Sequence, residues 1–478
     1  MRSESDSLGE VFVPDGAYYG AQTERARRHF AVSGHAIGEN PVFIKCIAVI
    51  KKAAALANRD LGLLGDEVAR AICAAADEVM EGNLAAEFPI DMFQGGGGTS
   101  TNMNVNEVIA NRANEILTGH KGYDVVHPNT HVNMCQSTND VIPSAMNMAI
   151  YLYLRDLSTS LQVLESALAE KAAEFGDVVK VARTCLQDAV PVTLGQEFSG
   201  YLTFVKRQTT EVKRAAAACR EIPLGGTIIG TGLGAFPGYV ERVYRYLEET
   251  SEAPVVKSTN FFDSLQNADG YANISAVLKG LAIGLSKMAR DLRLMSSGPR
   301  SGLAEITLPA MQPGSSIMPG KVNPVMPELI IQVCFQVVGN DTAINMAAEA
   351  GELDLNIWGP LIIKCLFESC RLLTGAIPLF AGHCVRGITA NREVCRKNAE
   401  SSLGLSAVIA SIFGYQQGVA VAEHAFSRGI SVQAAAVEMR LLPVEEAIEL
   451  MDPLSLTTPE GGGQILLRAR ERGLTRHG

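Results

Sequence analysis

The chain has 478 residues, of which 47% are hydrophobic, 19% charged and 6% aromatic, and its formal net charge is -10 at pH 7. This length exceeds what one hydrophobic core accommodates, so we expect two or three domains or one very elongated one, and the apolar content excludes a disordered chain. The acidic balance, with no cluster of Lys and Arg, argues against a nucleic-acid partner. Abundant Ala, Leu and Met with few aromatics favour an all-α, mainly helical fold.

The ten cysteines form no C-x-x-C pair, and most lie in apolar stretches with helical periodicity. They predict reduced, buried thiols of a cytoplasmic protein, neither a zinc site nor a disulfide framework. Residues 1–9 are polar and acidic, which predicts no secretory signal. No run reaches the roughly 18 apolar residues that a membrane span requires. Because no cofactor fingerprint or metal-ligand spacing is present, we expect neither a cofactor nor a metal.

The N-terminal region begins irregularly. Residues 11–30 mix prolines, glycines and aromatics, so we expect a structured entry segment more than a helix. Residues 41–58 and 66–82 have amphipathic periodicity and predict two helices.

Four glycines, Gly95–Gly98, then precede Thr99 and a string of capping residues. The glycines alone are typical of a flexible linker, whereas the polar string favours a helix start whose N–H groups could bind an anion.

A second polar string, Ser137-Thr138-Asn139-Asp140, precedes a long apolar helix that we predict from Ala145. As a plain N-cap it would have a structural role only; as a set of polar groups it could also bind a ligand.

Two apolar stripes with steps of three and four residues then predict long helices packed in a bundle. Their residues are Ile150, Leu154, Leu157, Leu161, Leu164 and Leu168, and Ile274, Leu278, Leu281, Leu285, Met288, Leu292 and Met295.

The chemically densest stretch is GSSIMPGKVNP, residues 314–324. Its two prolines and two glycines exclude a helix interior or a central strand and predict a loop of largely fixed shape. Its serines, Lys321 and Asn323 could supply a proton acceptor and a carboxylate clamp, although such a composition also occurs in plain connectors. A third long helix is predicted at 327–346, and its N-terminus would add positive potential beside the loop.

Several segments resemble, in matching order, the conserved regions of the aspartase/fumarase superfamily. They are GAQT at 20–23, QGGGGTSTNMN at 94–104, QSTND at 136–140, RTCLQDAVP at 183–191, GTIIGTGLG at 226–234 and GSSIMPGKVNP at 314–324. Members of this superfamily are cofactor-free lyases that eliminate across a succinyl Cα–Cβ bond and release fumarate.

The resemblance runs from about Gly20 to Cys395 and implies a three-domain architecture. We expect an N-terminal helical domain at 1–138, a central domain at 139–395 built on a long helical bundle, and a small C-terminal domain at 396–478. After residue 396 we expect two short helices and a tail rich in Pro and Gly. The resemblance also implies a homotetramer whose sites combine conserved regions from different subunits.

The resemblance also assigns roles to individual residues. It implies that Ser315 is the catalytic base, acting as an oxyanion supported by loop N–H groups and nearby positive charge. It implies substrate-binding roles for Thr99, Ser137, Thr138, Asn139, Thr184, Lys321 and Asn323.

Two positions depart from the family pattern. Cys185 stands where many members have histidine, and Gly234 stands where an asparagine is usual. A thiol cannot replace an imidazole at neutral pH unless its pKa is strongly lowered, so we expect no histidine-dependent step. Glu328 aligns with the buried glutamate that pairs with this histidine in fumarases, and here we expect it to be protonated or paired with another donor.

The segments at 347–356 and 387–395 look more like aspartases than fumarases. The resemblance therefore implies elimination of ammonia from L-aspartate through an aci-carboxylate intermediate, with fumarate as product. A class II fumarate hydratase is one alternative. A C–N lyase for an N-substituted or otherwise modified aspartate is another, because Cys185 and Gly234 leave a smaller, less polar lining. An inactive structural homologue is the alternative of a different class.

Overall fold

The computed structural model describes residues 1–474, and α-helices dominate this part of the chain, which confirms the predicted mainly helical fold. The helices are α1 (Ala21–His29), α2 (Pro41–Asp60), α3 (Asp66–Met80), α4 (Thr99–Thr118), α5 (Thr138–Glu174), α6 (Leu194–Ala218), α7 (Tyr239–Thr250), α8 (Phe261–Gln266), α9 (Asp269–Met295), α10 (Val325–Glu349), α11 (Gly359–His383), α12 (Arg392–Ser401), α13 (Ser406–Phe413), α14 (Tyr415–Arg428), α15 (Val432–Glu438), α16 (Val444–Leu450) and α17 (Pro459–Glu471).

The strands are short and pair only two at a time within the described residues. They are β1 (Arg2–Asp6), β2 (Gly9–Val13), β3 (Val179–Thr184), β4 (Gln187–Thr193), β5 (Glu221–Ile222), β6 (Val256–Lys257), β7 (Ile306–Thr307) and β8 (Thr389–Ala390). β1 with β2, β3 with β4 and β7 with β8 are antiparallel pairs, and β5 with β6 is parallel.

Both predicted apolar stripes are buried, because every side chain named in them is at most 6% exposed. They lie on α5 and α9, and the predicted third long helix is α10. Helix α5 starts at Thr138, earlier than the predicted Ala145, although Pro143 lies inside it. The earlier start follows from the polar string, which caps the first turn and so makes it helical.

The entry segment at residues 11–30 is more regular than predicted, since it contains β2 and the nine-residue helix α1. The sequence of α1 is strongly polar, so its apolar periodicity gave no signal. Ion pairs across one turn stabilise it instead: Glu24 lies 2.8 Å from Arg27 and 2.7 Å from Arg28.

The chain divides into two compact units. Unit 1 contains residues 1–159, 208–283 and 333–374; unit 2 contains residues 160–207, 284–332 and 375–478. The predicted three-domain division at 138 and 395 stays a prediction. Aromatic clusters mark each core: Phe43, Tyr153 and Phe367 in unit 1, and Phe175, Phe198 and Tyr201 in unit 2.

The C-terminal residues form more helices than the predicted two. Helices α13 to α17 bury their own hydrophobic cluster, which includes Ile409, Val421, Leu450 and Ile465. Glycine and proline between these helices resemble a loop-rich tail in sequence, but here they only separate short helices of small apolar residues.

None of the ten cysteines forms a disulfide, and Cys185 is the exposed one, whereas eight of the others are buried. Within residues 1–474, none of the helices combines the length and the apolar character needed to cross a membrane.

Candidate active site

A cavity of about 430 Å³ lies in unit 1 where α4 and α5 begin. Among the side chains that line it are Gln22, Thr99, Asn102, Ser137 and Thr138, together with residues of the loop at 226–234. The described residues around this cavity are all uncharged. The structure therefore brings Thr99, Ser137 and Thr138 together, whereas Asn139 lines a second, smaller cavity of about 40 Å³.

The carboxylate of Asp140 joins two of the segments around this cavity. It is fully buried, and one oxygen accepts a hydrogen bond from the Ser137 N–H at 2.9 Å. The other oxygen accepts from the N–H groups of Gly225 and Thr227 at 3.0 and 2.9 Å. Burial raises the pKa of the Asp140 carboxyl to about 6, against the opposing effect of these donors and of Lys51.

Lys51, on α2, is the buried cation behind the same cavity. Its Nζ donates to Asn133 Oδ1 and to Gln136 Oε1, both at 2.9 Å. Burial lowers the pKa of the Lys51 ammonium to about 7, and Asp140 opposes that shift. Because lysine only donates, the atom of Asn133 that it contacts must be the oxygen. Asn102 contacts the same atom at 3.1 Å and must therefore present its Nδ2 there.

The hydroxyl groups of the polar string have protons left for a ligand. Thr138 Oγ1 accepts from Asn102 Nδ2 at 3.2 Å, and Ser137 Oγ accepts from the Asn139 N–H at 3.2 Å. Both oxygens thus have an acceptor role within the protein and can donate outward, as a bound carboxylate requires.

Thr99 and Asn139 have the opposite polarity. The Thr99 hydroxyl donates to Gly96 O at 2.9 Å, and Asn139 Nδ2 donates to Ile228 O at 2.8 Å. The lone pairs of Thr99 Oγ1 and Asn139 Oδ1 are therefore suited to accept from an ammonium group.

In unit 2, the hairpin of β3 and β4 carries Thr184 and Cys185 on its turn, where both are exposed. Cys185 and Leu186 have φ of +53° and +59°. Two successive left-handed residues form a tight two-residue turn whose twist matches the strands. The buried carboxylate of Glu305 anchors the hairpin, because it lies 3.1 Å from Lys180 Nζ and 2.8 Å from Arg183 Nη1.

The loop at 314–324, also in unit 2, is closed by its own hydrogen bonds. The Gly314 N–H donates to Lys321 O at 2.8 Å. A Cβ atom on Gly314 would lie 2.5 Å from that same oxygen, so the approach requires glycine. Asn323 Nδ2 donates to Gly314 O, and Lys321 Nζ donates to Asn323 Oδ1, both at 2.8 Å.

Ser315 has a distinctive environment in this loop. Its Oγ accepts hydrogen bonds from the N–H groups of Ile317 at 3.2 Å and Met318 at 2.9 Å. Two backbone donors directed at one hydroxyl oxygen favour its ionised form. The loop thus places Ser315, Lys321 and Asn323 together and gives the serine oxygen the N–H partners that an oxyanion needs.

Glu328, in the first turn of α10, is partly exposed rather than buried, since 39% of its side chain is accessible. Nη2 of Arg293 lies 3.6 Å from its carboxylate. The expectation that Glu328 is protonated or paired with another donor stays a prediction, because 3.6 Å is longer than a hydrogen bond. A link between Glu328 and position 185 stays a prediction.

Sequence reasoning missed Lys51, Glu107 and Gln22. Lys51 shares the buried helical phase of Ile44 and Ile47, and a lysine in that phase is the available signal. Glu107 lies in α4, where every residue from Thr101 to Ala110 is buried. Its signal is a lone carboxylate in a long buried run.

The chain is similar to known proteins over most of its length. Residues 9–339 match the profile of a protein family described as Lyase. An aspartate ammonia-lyase from Helicobacter pylori is 46% identical over 460 residues, which are 96% of this chain and 98% of that protein. The crystal structure of a fumarate lyase:delta crystallin from Brucella melitensis covers 96% of this chain and matches over its full length, with a TM-score of 0.93 and 45% identity. The class II fumarase from Schistosoma mansoni covers 96% of this chain and 99% of its own, with a TM-score of 0.91 and 36% identity.

Asp140→Asn should destabilise the protein and remove the part of its pH-dependent stability that arises from this carboxyl. The raised pKa means that folded Asp140 holds a proton between about pH 4 and 6 that the unfolded chain has released. The contribution of Asp140 to the free energy of unfolding is therefore complete below about pH 4 and is lost as the pH rises through about 6. The shift from the ordinary pKa corresponds to a loss of about 3 kcal/mol in that free energy. In urea unfolding experiments, the difference in free energy of unfolding between wild type and variant should be smaller at pH 6.5 than at pH 4.5. The exposed Asp124→Asn is the control, and a pH-independent gap for Asp140→Asn would contradict the prediction.

Proposed function

Since the chain belongs to the aspartase/fumarase superfamily, we propose that it eliminates ammonia from L-aspartate to give fumarate. The observation that carries the proposal is the Ser315 oxygen, which accepts two backbone N–H groups on a loop that also holds Lys321. The aspartate ammonia-lyase from Helicobacter pylori, at 46% identity, supports the choice of substrate.

In the proposed reaction, Ser315 is the base. Its oxyanion removes a proton from Cβ, and the electron pair of that bond passes into the β-carboxylate to give an aci-carboxylate. The pair then returns to form the Cα–Cβ double bond as the Cα–N bond breaks and ammonia leaves. A serine hydroxyl is a weak base at its ordinary pKa, so the N–H groups of Ile317 and Met318 supply the stabilisation that makes the alkoxide accessible.

The β-carboxylate gains a second negative charge in this intermediate. Lys321 supplies the positive charge, and Asn323 and Thr184 supply hydrogen bonds. Fixed donors directed at an atom where charge develops stabilise the transition state more than the ground state. Lys321 Nζ donates to Asn323 Oδ1 at 2.8 Å, so the two side chains of the proposed clamp orient each other.

The other end of aspartate carries the α-carboxylate and the ammonium. Ser137 and Thr138 donate to the carboxylate, and Thr99 and Asn139 accept from the ammonium, in keeping with the hydrogen-bond polarity of each group. We further propose a cytoplasmic homotetramer in which conserved regions of different subunits meet at each site. The exposure of Thr184, Cys185 and Ser316 in the single chain supports that assembly.

The purified protein should release fumarate from L-aspartate, because the donors and acceptors around the cavity match a carboxylate next to an ammonium. The absorbance of fumarate measures the reaction directly. Hydration of fumarate to malate, assayed in parallel, tests the fumarase alternative. Rapid hydration without a signal from aspartate would overturn the proposal in favour of that alternative, and inactivity in both assays and with an N-alkylated aspartate would favour the structural homologue.

Ser315→Ala should lower kcat for aspartate by about 10²- to 10⁴-fold, the usual range for loss of a general base. The fold should persist, because the residue is on a loop and contributes no core area. Ser316→Ala is the matched control and should retain most of the rate.

Circular dichroism and light scattering would verify that both serine variants keep their secondary structure and assembly. If Ser315→Ala keeps its rate while Ser316→Ala loses it, the base is Ser316. If both keep it, neither serine is the base.

Cys185→His should change substrate preference more than stability, because residue 185 is exposed on a turn. A neutral thiol makes weak hydrogen bonds, so a histidine should alter the ratios of kcat/KM among substrates by about tenfold. Aspartate, malate and an N-alkylated aspartate are the three substrates to compare. Gly234, where an added Cβ would meet nothing within 4 Å, favours the N-substituted substrate as the second candidate. Equal ratios in both proteins would show that residue 185 does not select the substrate.

A further inference from the structure

Gln22 has no role in the reaction as proposed above, yet it lines the cavity with Thr99, Ser137 and Thr138. Its backbone N–H is hydrogen-bonded, whereas no described residue hydrogen-bonds its side-chain amide. The side chain is half-buried. An amide that has been partly removed from water and has no protein partner is available to a ligand.

The backbone around Gln22 is fixed by the carboxylate of Glu107, which is only 2% exposed. One oxygen accepts from the Gln22 N–H at 2.9 Å. The other accepts from the Gly20 N–H at 2.9 Å, the Thr23 N–H at 3.1 Å and the Thr23 hydroxyl at 2.6 Å. Glu107 thereby satisfies N–H groups in the first turn of α1 that have no partner within the helix.

The contact between this segment and α4 is close. A Cβ atom on Gly20 would lie 2.1 Å from the Tyr123 hydroxyl and 2.9 Å from Cδ of Glu107. A larger residue at position 20 would have to displace the Tyr123 and Glu107 side chains, so Gln22 follows on a closely packed segment. Burial raises the pKa of Glu107 to about 7, against the effect of its hydrogen-bond donors.

We propose that Gln22 contacts the substrate, donating from its side-chain Nε2 to the carboxylate that Ser137 and Thr138 hold, and that Glu107 positions it. This inference rests on the proposed function, which supplies that carboxylate. No cation lines the described part of the cavity, so a carboxylate there needs several neutral donors. Ser137 and Thr138 provide two hydroxyl protons, and Gln22 provides a third donor.

Succinate tests the contact without catalysis, because it has both carboxylates but no amino group to eliminate. Calorimetric titration of the full-length protein should give a Kd for succinate about 10- to 100-fold weaker in Gln22→Met, the effect of losing one hydrogen bond to a charged group. Gln22→Glu should bind more weakly still, because its carboxylate would face the carboxylate of the ligand. Gln416→Met, the same change at an exposed site on α14, should leave the Kd unchanged.

An equal Kd in wild type and Gln22→Met would overturn the contact. A rise in the KM for aspartate without a change in succinate binding would place Gln22 at the amino group and would also overturn it. If the wild type does not bind succinate, the hypothesis that this cavity binds a carboxylate is wrong. Failure to release fumarate from aspartate would sink the proposed reaction alone, and the succinate comparison would still decide the role of Gln22.

The role of Glu107 is tested by coupling it to Gln22. Glu107→Gln should weaken succinate binding in the wild-type background and have little further effect in Gln22→Met, because it acts through Gln22. Additive losses in the double variant would show that Glu107 only stabilises the fold, and would overturn its positioning role.

Discussion

The buried carboxylate of Asp140 is the interaction on which the cavity of unit 1 depends. Removing a charge from water is costly, and the structure compensates with N–H groups from two separate segments and with Lys51 nearby. Because the two oxygens face different segments, the start of α5 and the loop after Leu224 cannot shift independently. The hydroxyl oxygens of Ser137 and Thr138, at this start of α5, accept hydrogen bonds from Asn139 and Asn102 within the protein.

The same device recurs at Glu107 and Glu305. Each carboxylate is buried, and each holds a segment that carries a candidate site residue: Gln22 in one case and Thr184 in the other. Glu107 uses backbone N–H groups and a hydroxyl, whereas Glu305 uses Lys180 and Arg183. A buried ion pair such as those of Glu305 contributes little net stability compared with an apolar core, so its clearer effect is the geometry that it imposes on the hairpin. In both cases a buried carboxylate fixes the backbone of the segment, whereas the candidate site residue, Gln22 or Thr184, is itself neutral.

The sequence predicted the features that depend on periodicity or on chain stiffness. The stripes of α5 and α9 follow from apolar residues at helical spacing, and the loop at 314–324 follows from its glycines and prolines. Helix α1 was missed because ion pairs and Glu107 stabilise it, and neither appears as an apolar period. Lys51 and Glu107 were missed because their partners are distant in sequence and only the fold brings them together. The partial exposure of Glu328 and its proximity to Arg293 depend on α9 and α10 lying close at that level, which no local pattern specifies.

The placement of charged and neutral groups in the proposed site also bears on kcat, KM and product release. Substrate and product both carry the α-carboxylate, so a cation directed at it would bind both equally tightly. Uniform binding of this kind lowers KM without raising kcat, and it would retard release of the fumarate dianion. Neutral donors such as Ser137, Thr138 and Gln22 orient that carboxylate without holding it strongly. At the β-carboxylate the charge increases only in the intermediate, and there a cation such as Lys321 stabilises the transition state more than either end state. The roles proposed for the neutral donors and for Lys321 therefore match the charges that stay constant and the charge that increases during elimination from aspartate.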